Sequence, residues 1–133
     1  MESRHISVTI DAAPEVVYRF AADPHTWPRW AAGLAEGGLR QDGEDWVADS
    51  PMGRVTVEFA PPNEFGVLDH VVHLPTGEAV YNPMRVVPLG GDESSCEVVF
   101  SLRRRPGMTA AEFEADARAV AADLATLKSL VQG

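Results

Sequence analysis

Residues 109–131 read Thr-Ala-Ala-Glu-Phe-Glu-Ala-Asp-Ala-Arg-Ala-Val-Ala-Ala-Asp-Leu-Ala-Thr-Leu-Lys-Ser-Leu-Val, and their periodicity decides the fold. Phe113, Ala117, Val120, Leu124, Leu127 and Val131 recur every three or four residues, which gathers them into one apolar stripe along a helix. Thr109 and Glu112 stand ahead of that stripe at the spacing at which each side chain satisfies the other's backbone N–H. A helix from Thr109 to about Val131 is expected, roughly 34 Å long at about 1.5 Å per residue. An element of that length crosses a whole sheet.

Upstream the period is two. In His5-Ile6-Ser7-Val8-Thr9-Ile10 the three aliphatic residues share one side, the pattern of a half-buried strand. Pro14 suits the first turn of a helix whose Val17, Phe20 and Ala21 share a face. Asp23-Pro24 repeats the start signal and opens a short helix carrying Trp27, Pro28 and Trp30. From Gly33 to Arg105, Gly, Pro and Asp clusters separate short alternating runs, which predicts an antiparallel meander of six strands. One hairpin joins residues 45–49 to 54–59 across Ser50-Pro51-Met52-Gly53 and sets Trp46, Ala48, Val55, Val57 and Phe59 on one face. A second joins residues 65–74 to 78–87 across Pro75-Thr76-Gly77, and a last strand from Ser95 turns Cys96, Val98, Phe100 and Leu102 inward. With no repeat, low-complexity tract or linker, residues 1–133 read as one α+β domain.

Composition narrows the function classes. At 133 residues, 45% hydrophobic and 23% charged, with a mean hydropathy of -0.11, the chain can build one core by itself. Its net charge of -9 repels polyphosphate, so nucleic acid is not expected as a partner. Cys96 is the only cysteine, which leaves no disulfide framework and fits a reducing cytoplasm. No apolar run precedes the first strand and none nears the roughly 20 residues of a membrane span, so neither secretion nor membrane insertion is expected.

The order of strand, two short helices, antiparallel strands and one long helix resembles the START-like (SRPBCC) superfamily, and within it bacterial polyketide cyclase/dehydratase-like proteins. The resemblance spans essentially the whole chain. It is carried by Ile6-Ser7-Val8-Thr9-Ile10 leading to Ala13-Pro14-Glu15-Val16-Val17-Tyr18, by Asp23-Pro24-His25-Thr26-Trp27-Pro28-Arg29-Trp30, and by the Ala-rich last helix. It implies a helix-grip fold: a curved antiparallel sheet wrapped around a long C-terminal helix, with a cavity between them. Members carry lipids, sense hormones, close aromatic rings or regulate chaperones, so the fold leaves the activity open.

Polar groups aimed into such a cavity are the candidates for chemistry. If Leu68, Val72 and Leu74 face inward, alternation turns His70 inward with them and leaves Asp69 and His73 outside; a one-residue register slip reverses this. A two-residue Thr76-Gly77 turn would set Val72 opposite Tyr81 and Leu68 opposite Arg85, so that His70, Tyr81 and Arg85 converge. An imidazole that takes a proton, a phenol that donates to a carbonyl and a guanidinium that holds an enolate would suit a cyclase or dehydratase. The alternative is structural, with Arg85 paired to Asp69 and His70 and Tyr81 packed as core. Asn82-Pro83 marks an edge or bulge that could swing Asn82 into the cavity. Trp30, Trp46, Phe59, Asn82, Phe100, Ala117 and Val120 are the expected ligand contacts, with Trp46 facing inward and only one of Trp27 and Trp30 touching ligand.

His70 and His73 leave opposite faces of a strand, so no metal site is expected, and no cofactor fingerprint is present. Cys96 reads as a buried, inert thiol. Arg103-Arg104-Arg105 reads as a solvated strand end paired with acids of the last helix, or with Arg104 at a cavity mouth. The expected activity is binding of a small, mostly apolar molecule (aromatic, polyketide-like or lipid-like) by a monomer or homodimer acting as carrier or sensor. A cyclase/dehydratase using the same cavity and a protein-protein adaptor are the alternatives.

Overall fold

A computed structural model describes residues 1–31, 38–50 and 53–132. The chain runs β1 (Ser3–Ile10), α1 (Pro14–Ala21), a 3₁₀ turn (Pro24–Thr26), α2 (Trp27–Trp30), β2 (Arg40–Asp42), β3 (Asp45–Ser50), β4 (Gly53–Phe59), β5 (His70–His73), β6 (Ala79–Asn82), β7 (Met84–Leu89), β8 (Asp92–Arg103) and α3 (Ala110–Gln132). The Pro51-Met52 turn and the start of the expected meander at Gly33 lie outside the described residues.

Strand β1 keeps the alternation of its sequence, with Ile6, Val8 and Ile10 on the inner side, and pairs antiparallel with β8 from Ser3 opposite Arg103 to Ile10 opposite Cys96. The strands form two antiparallel ladders, ordered β1-β8-β7 and β2-β3-β4-β5-β6. Backbone bonds from Leu68 N to Met84 O and from Val86 N to Gly66 O join them, because the segment entering β5 lies against β7. The result is one curved sheet.

Seven strands span the described part of residues 40–103, against the six expected, because the arm expected over residues 78–87 is two strands parted at Pro83. Proline has no N–H to give a ladder, so β6 stays with β5 while β7 leaves for β8. Pro83 still accepts a bond from Ser101 N, which pins the bend to β8.

Helix α3 starts with the expected reciprocal cap: Glu112 N donates to Thr109 Oγ1 at 3.1 Å and Thr109 N to Glu112 Oε1 at 2.9 Å. Arg4 of β1 grips Glu114 with two hydrogen bonds, 2.8 and 2.6 Å, and lies over the Phe113 ring. The helix then lies across the sheet, burying Phe113, Ala117, Leu124 and Leu127. Leu124 and Leu127 join Ile10, Val17, Trp27, Trp30, Met84, Cys96 and Val98 in the main core, and Phe113 and Ala117 meet Leu102 in a smaller one. Cys96 is fully buried and burial pushes its thiol pKa up, which keeps it protonated and unreactive. Two of the three arginines expected to pair with the last helix's acids make their hydrogen bonds elsewhere: Arg104 to Met108 O and Glu2, and Arg105 to Glu78.

The bridge between ladders depends on Gly66, at φ +71°, where an added Cβ would collide with the Val86 carbonyl oxygen. Gly66→Ala therefore carries both a left-handed backbone penalty and a clash, and should lower the unfolding free energy by about 2 kcal/mol or more. Urea titration checks this; an unchanged midpoint would mean that the bridge is not under that constraint.

Candidate functional site

Strand β5 aims His70 at α3. Leu68, His70 and Val72 alternate onto the concave face, and His70 is only 4% exposed. Its Nδ1 lies 3.0 Å from the Leu68 carbonyl oxygen, which can only accept, so in the neutral ring Nδ1 carries the hydrogen and Nε2 the lone pair. Desolvation by burial holds the imidazole below its ordinary pKa, against the opposing pull of the Leu68 carbonyl and the Asp69 charge. The ring is neutral at pH 7.

Aromatic rings enclose it. The Trp27 indole stands edge-on at 4.9 Å, and Phe100 and Phe59 lie at 6.0 and 6.3 Å. Trp27 is pinned by a 2.9 Å bond from its Nε1 to Ala21 O and packs 4.8 Å from Trp30. Between α2, α3 and the sheet these side chains leave a cleft of about 180 Å³. Its lining includes Trp27, Trp30, Phe100 and Val120, with His70, Asn82 and Asp123 as polar groups.

The convergence of His70, Tyr81 and Arg85 does not occur. Leu74 N donates to Glu78 O and Gly77 N to Leu74 O, so the loop holds three residues, Pro75 to Gly77, rather than two. Gly77 takes φ +90°, the left-handed position such a loop requires. Every pairing moves by one: Val72 faces Val80, Val71 faces Tyr81 and His70 faces Asn82, with Val67 bridged to Arg85. Tyr81 and Arg85 therefore lie on the convex face, where they meet Asp69.

Asp69 is buried there by its partners. Arg85 Nε and Nη2 hold its two carboxylate oxygens at 2.9 and 2.8 Å, Tyr81 OH donates at 2.6 Å and Met84 N at 2.9 Å. Chiefly through the Arg85 bonds, the carboxyl is held far below the usual carboxylate range. The structural alternative for Arg85 is the one observed.

Of the other expected contacts, Trp30, Asn82, Phe100 and Val120 line the cleft. Trp46, Phe59 and Ala117 do not. Trp46 packs against the edge of His25 at 5.2 Å, Phe59 sits behind Trp27 at 5.0 Å, and Ala117 fills the second core with Leu102. Both Trp27 and Trp30 line the cleft, where only one was expected to touch ligand. Asp123 was missed, although it stands three residues after Val120 on the edge of the apolar stripe, which is the signal that marks it.

A larger groove of about 940 Å³ runs outside the sheet between α1, residues 63–66 and the β7–β8 turn. Glu15, Glu64 and Glu93 line it, and the Asn63 side chain there is spent on bonds to Phe65 N, Val67 N and two carbonyls. The cleft is the candidate site because its few polar groups stand among apolar walls. Among the described residues no helix is long and apolar enough to cross a membrane.

A family model described as polyketide cyclase / dehydrase and lipid transport matches residues 1–132. No curated protein matches the chain. Among solved structures, XoxI from Bacillus cereus superposes with a TM-score of 0.75 at 14% identity, covering 98% of this chain and 96% of its own. A START superfamily protein from Mycobacterium smegmatis gives 0.68 at 14% identity, covering 97% and 96%. The Zhui aromatase/cyclase from Streptomyces sp. R1128 gives 0.68 at 17% identity, covering 98% and 94%. At such identities the likeness is one of fold.

Burial of a neutral His70 gives stability a definite pH dependence. The unfolded imidazole takes up a proton below about pH 6.5 and the folded one resists, so the unfolded state binds more protons as pH falls through that window. Stability should decline by up to about 1.4 kcal/mol per pH unit below 6.5, and His70→Gln should flatten this slope. Exposed His5, His25 and His73 are common to both proteins and cancel. Parallel slopes in urea unfolding series at pH 5 to 7 would contradict a buried neutral ring. Asp69 acts in the same direction at lower pH: its folded carboxyl is held below the unfolded value, so its contribution is present above about pH 3.8 and lost as pH falls below. Asp69→Asn should cost about 1–3 kcal/mol at pH 7 and flatten the acid limb, measured the same way.

Proposed function

Because the chain belongs to the polyketide cyclase / dehydrase and lipid transport family, we propose that it binds a small, mostly apolar molecule in the cleft between α3 and the sheet, as carrier or sensor. One observation carries this reading: a buried neutral imidazole and the amide of Asn82 stand among aromatic and aliphatic walls around about 180 Å³ of space. Apolar walls supply affinity and a few polar groups fix orientation. Trp30, Phe100 and Val120 would form the walls and Asn82 would lie beside the ligand's polar end.

Ring closure in the same cleft is the weaker reading. It needs donors that hold a developing oxyanion beside the proton acceptor. Tyr81 and Arg85, the groups expected in that role, are bound to Asp69 on the far side of the sheet. Any acid–base step would rest on His70 in the company of Asn82 and Asp123. A single domain in a reducing cytoplasm fits the lone buried thiol and the charge of -9, which also disfavours nucleic acid.

Filling the cleft tests the proposal. Val120→Phe adds a ring to the wall and should weaken toluene binding at least tenfold, followed by the indole N–H resonances of Trp27 and Trp30, while circular dichroism stays native. Equal toluene affinity in both proteins would place the ligand elsewhere.

A further inference from the structure

Resting on the reading that the cleft holds a ligand, we infer that the ligand is a single six-membered ring bearing a hydroxyl, and that this hydroxyl donates its hydrogen bond to Nε2 of His70. The assignment of the atom follows from geometry. Nδ1 is committed to the Leu68 carbonyl at 3.0 Å, so only Nε2 is left to meet a ligand. A neutral Nε2 has a lone pair and no hydrogen. It accepts from a hydroxyl and gives nothing to a carbonyl or an ether. The depressed basicity of the buried ring keeps it in this form at neutral pH.

Asn82 strengthens the selection. It stands directly opposite His70 across β5 and β6, so the two side chains share one face of the sheet. A hydroxyl that donates to the imidazole keeps lone pairs that an amide N–H can fill, whereas a methyl group satisfies neither. A ligand with both capacities at one atom fits the pair of residues better than a hydrocarbon of the same shape.

The walls set the size. An apolar cavity of about 150 Å³ admits one benzene. This cleft, at about 180 Å³, encloses that ring and a small substituent, and a second fused ring would have to project from its open side. Its walls do not yield readily. Trp27 is fixed by its bond to Ala21 and by edge contacts with His70 and Phe59, and Leu124 is buried in the core. Enlarging the cleft means displacing rings held in close packing.

The full chain, labelled with ¹⁵N-histidine, is titrated with phenol, toluene, anisole and 1-naphthol. Toluene and phenol have nearly the same shape, and anisole keeps the oxygen without the donor. The expected result is that phenol shifts the His70 Nε2 resonance while toluene and anisole bind without shifting it, and that 1-naphthol binds at least tenfold more weakly than phenol. The phenol-to-toluene affinity ratio should fall about tenfold in His70→Phe, the worth of one hydrogen bond. Should that variant not fold, the wild-type resonance decides. Phenol bound with an unmoved Nε2 resonance overturns the hydroxyl assignment and leaves binding in the cleft intact. Tight 1-naphthol binding overturns the single-ring limit. No binding by any of the four defeats the cleft reading itself.

Discussion

The carboxylate of Asp69 fixes which way strand β5 faces. Four hydrogen bonds, two from the Arg85 guanidinium and one each from Tyr81 OH and Met84 N, converge on it from the convex side. Asp69 can be satisfied only there, and alternation then obliges His70, the next residue, to face the core. A slip of one residue would bury an unpaired carboxylate and expose the imidazole, at the cost of several kcal/mol that burying an uncompensated charge entails. The convex cluster and the concave cleft are thus two sides of one register.

The clamp also spans the point where the sheet divides. Asp69 lies between the residues that pair with β6 and those that pair with β7, and Pro83 is the break between those two strands. Arg85 and Met84 belong to β7 and Tyr81 to β6, so one side chain ties together both arms of the bend. The bend matters to the cleft because it brings Met84 and Asn82 around to the face that α3 crosses. Much of the wall is rigid rings, Trp27, Trp30 and Phe100, and the β-branched Val72 and Val120, which resist collapse in a way that the flexible Met84 and Leu124 beside them do not.

Much of this was legible in the sequence. Strict alternation in Ile6, Val8 and Ile10, the Thr109–Glu112 cap and the stripe from Phe113 onward each specify an element by local chemistry, and the family resemblance follows from their order. The inward turn of His70 was legible for the same reason. The partners across the second hairpin were not, because Pro75-Thr76-Gly77 is compatible with a loop of two or three residues. The backbone bonds from Leu74 N to Glu78 O and from Gly77 N to Leu74 O decide between them. That single residue of difference carried Tyr81 and Arg85 from the cavity to the outside. Trp46, Phe59 and Ala117 were misplaced for a related reason: facing inward assigns a residue to the core, and which part of a core stays open depends on packing among distant segments.

A hollow remains between α3 and the sheet, with His70 in its wall. Crystallography under xenon pressure tests it most directly, because xenon occupies apolar cavities without needing any polar partner. Xenon density is expected in the space bounded by Trp30, Phe100 and Val120, with the His70 ring beside it. A filled core with no xenon at that position, or a His70 ring turned to solvent, would contradict it.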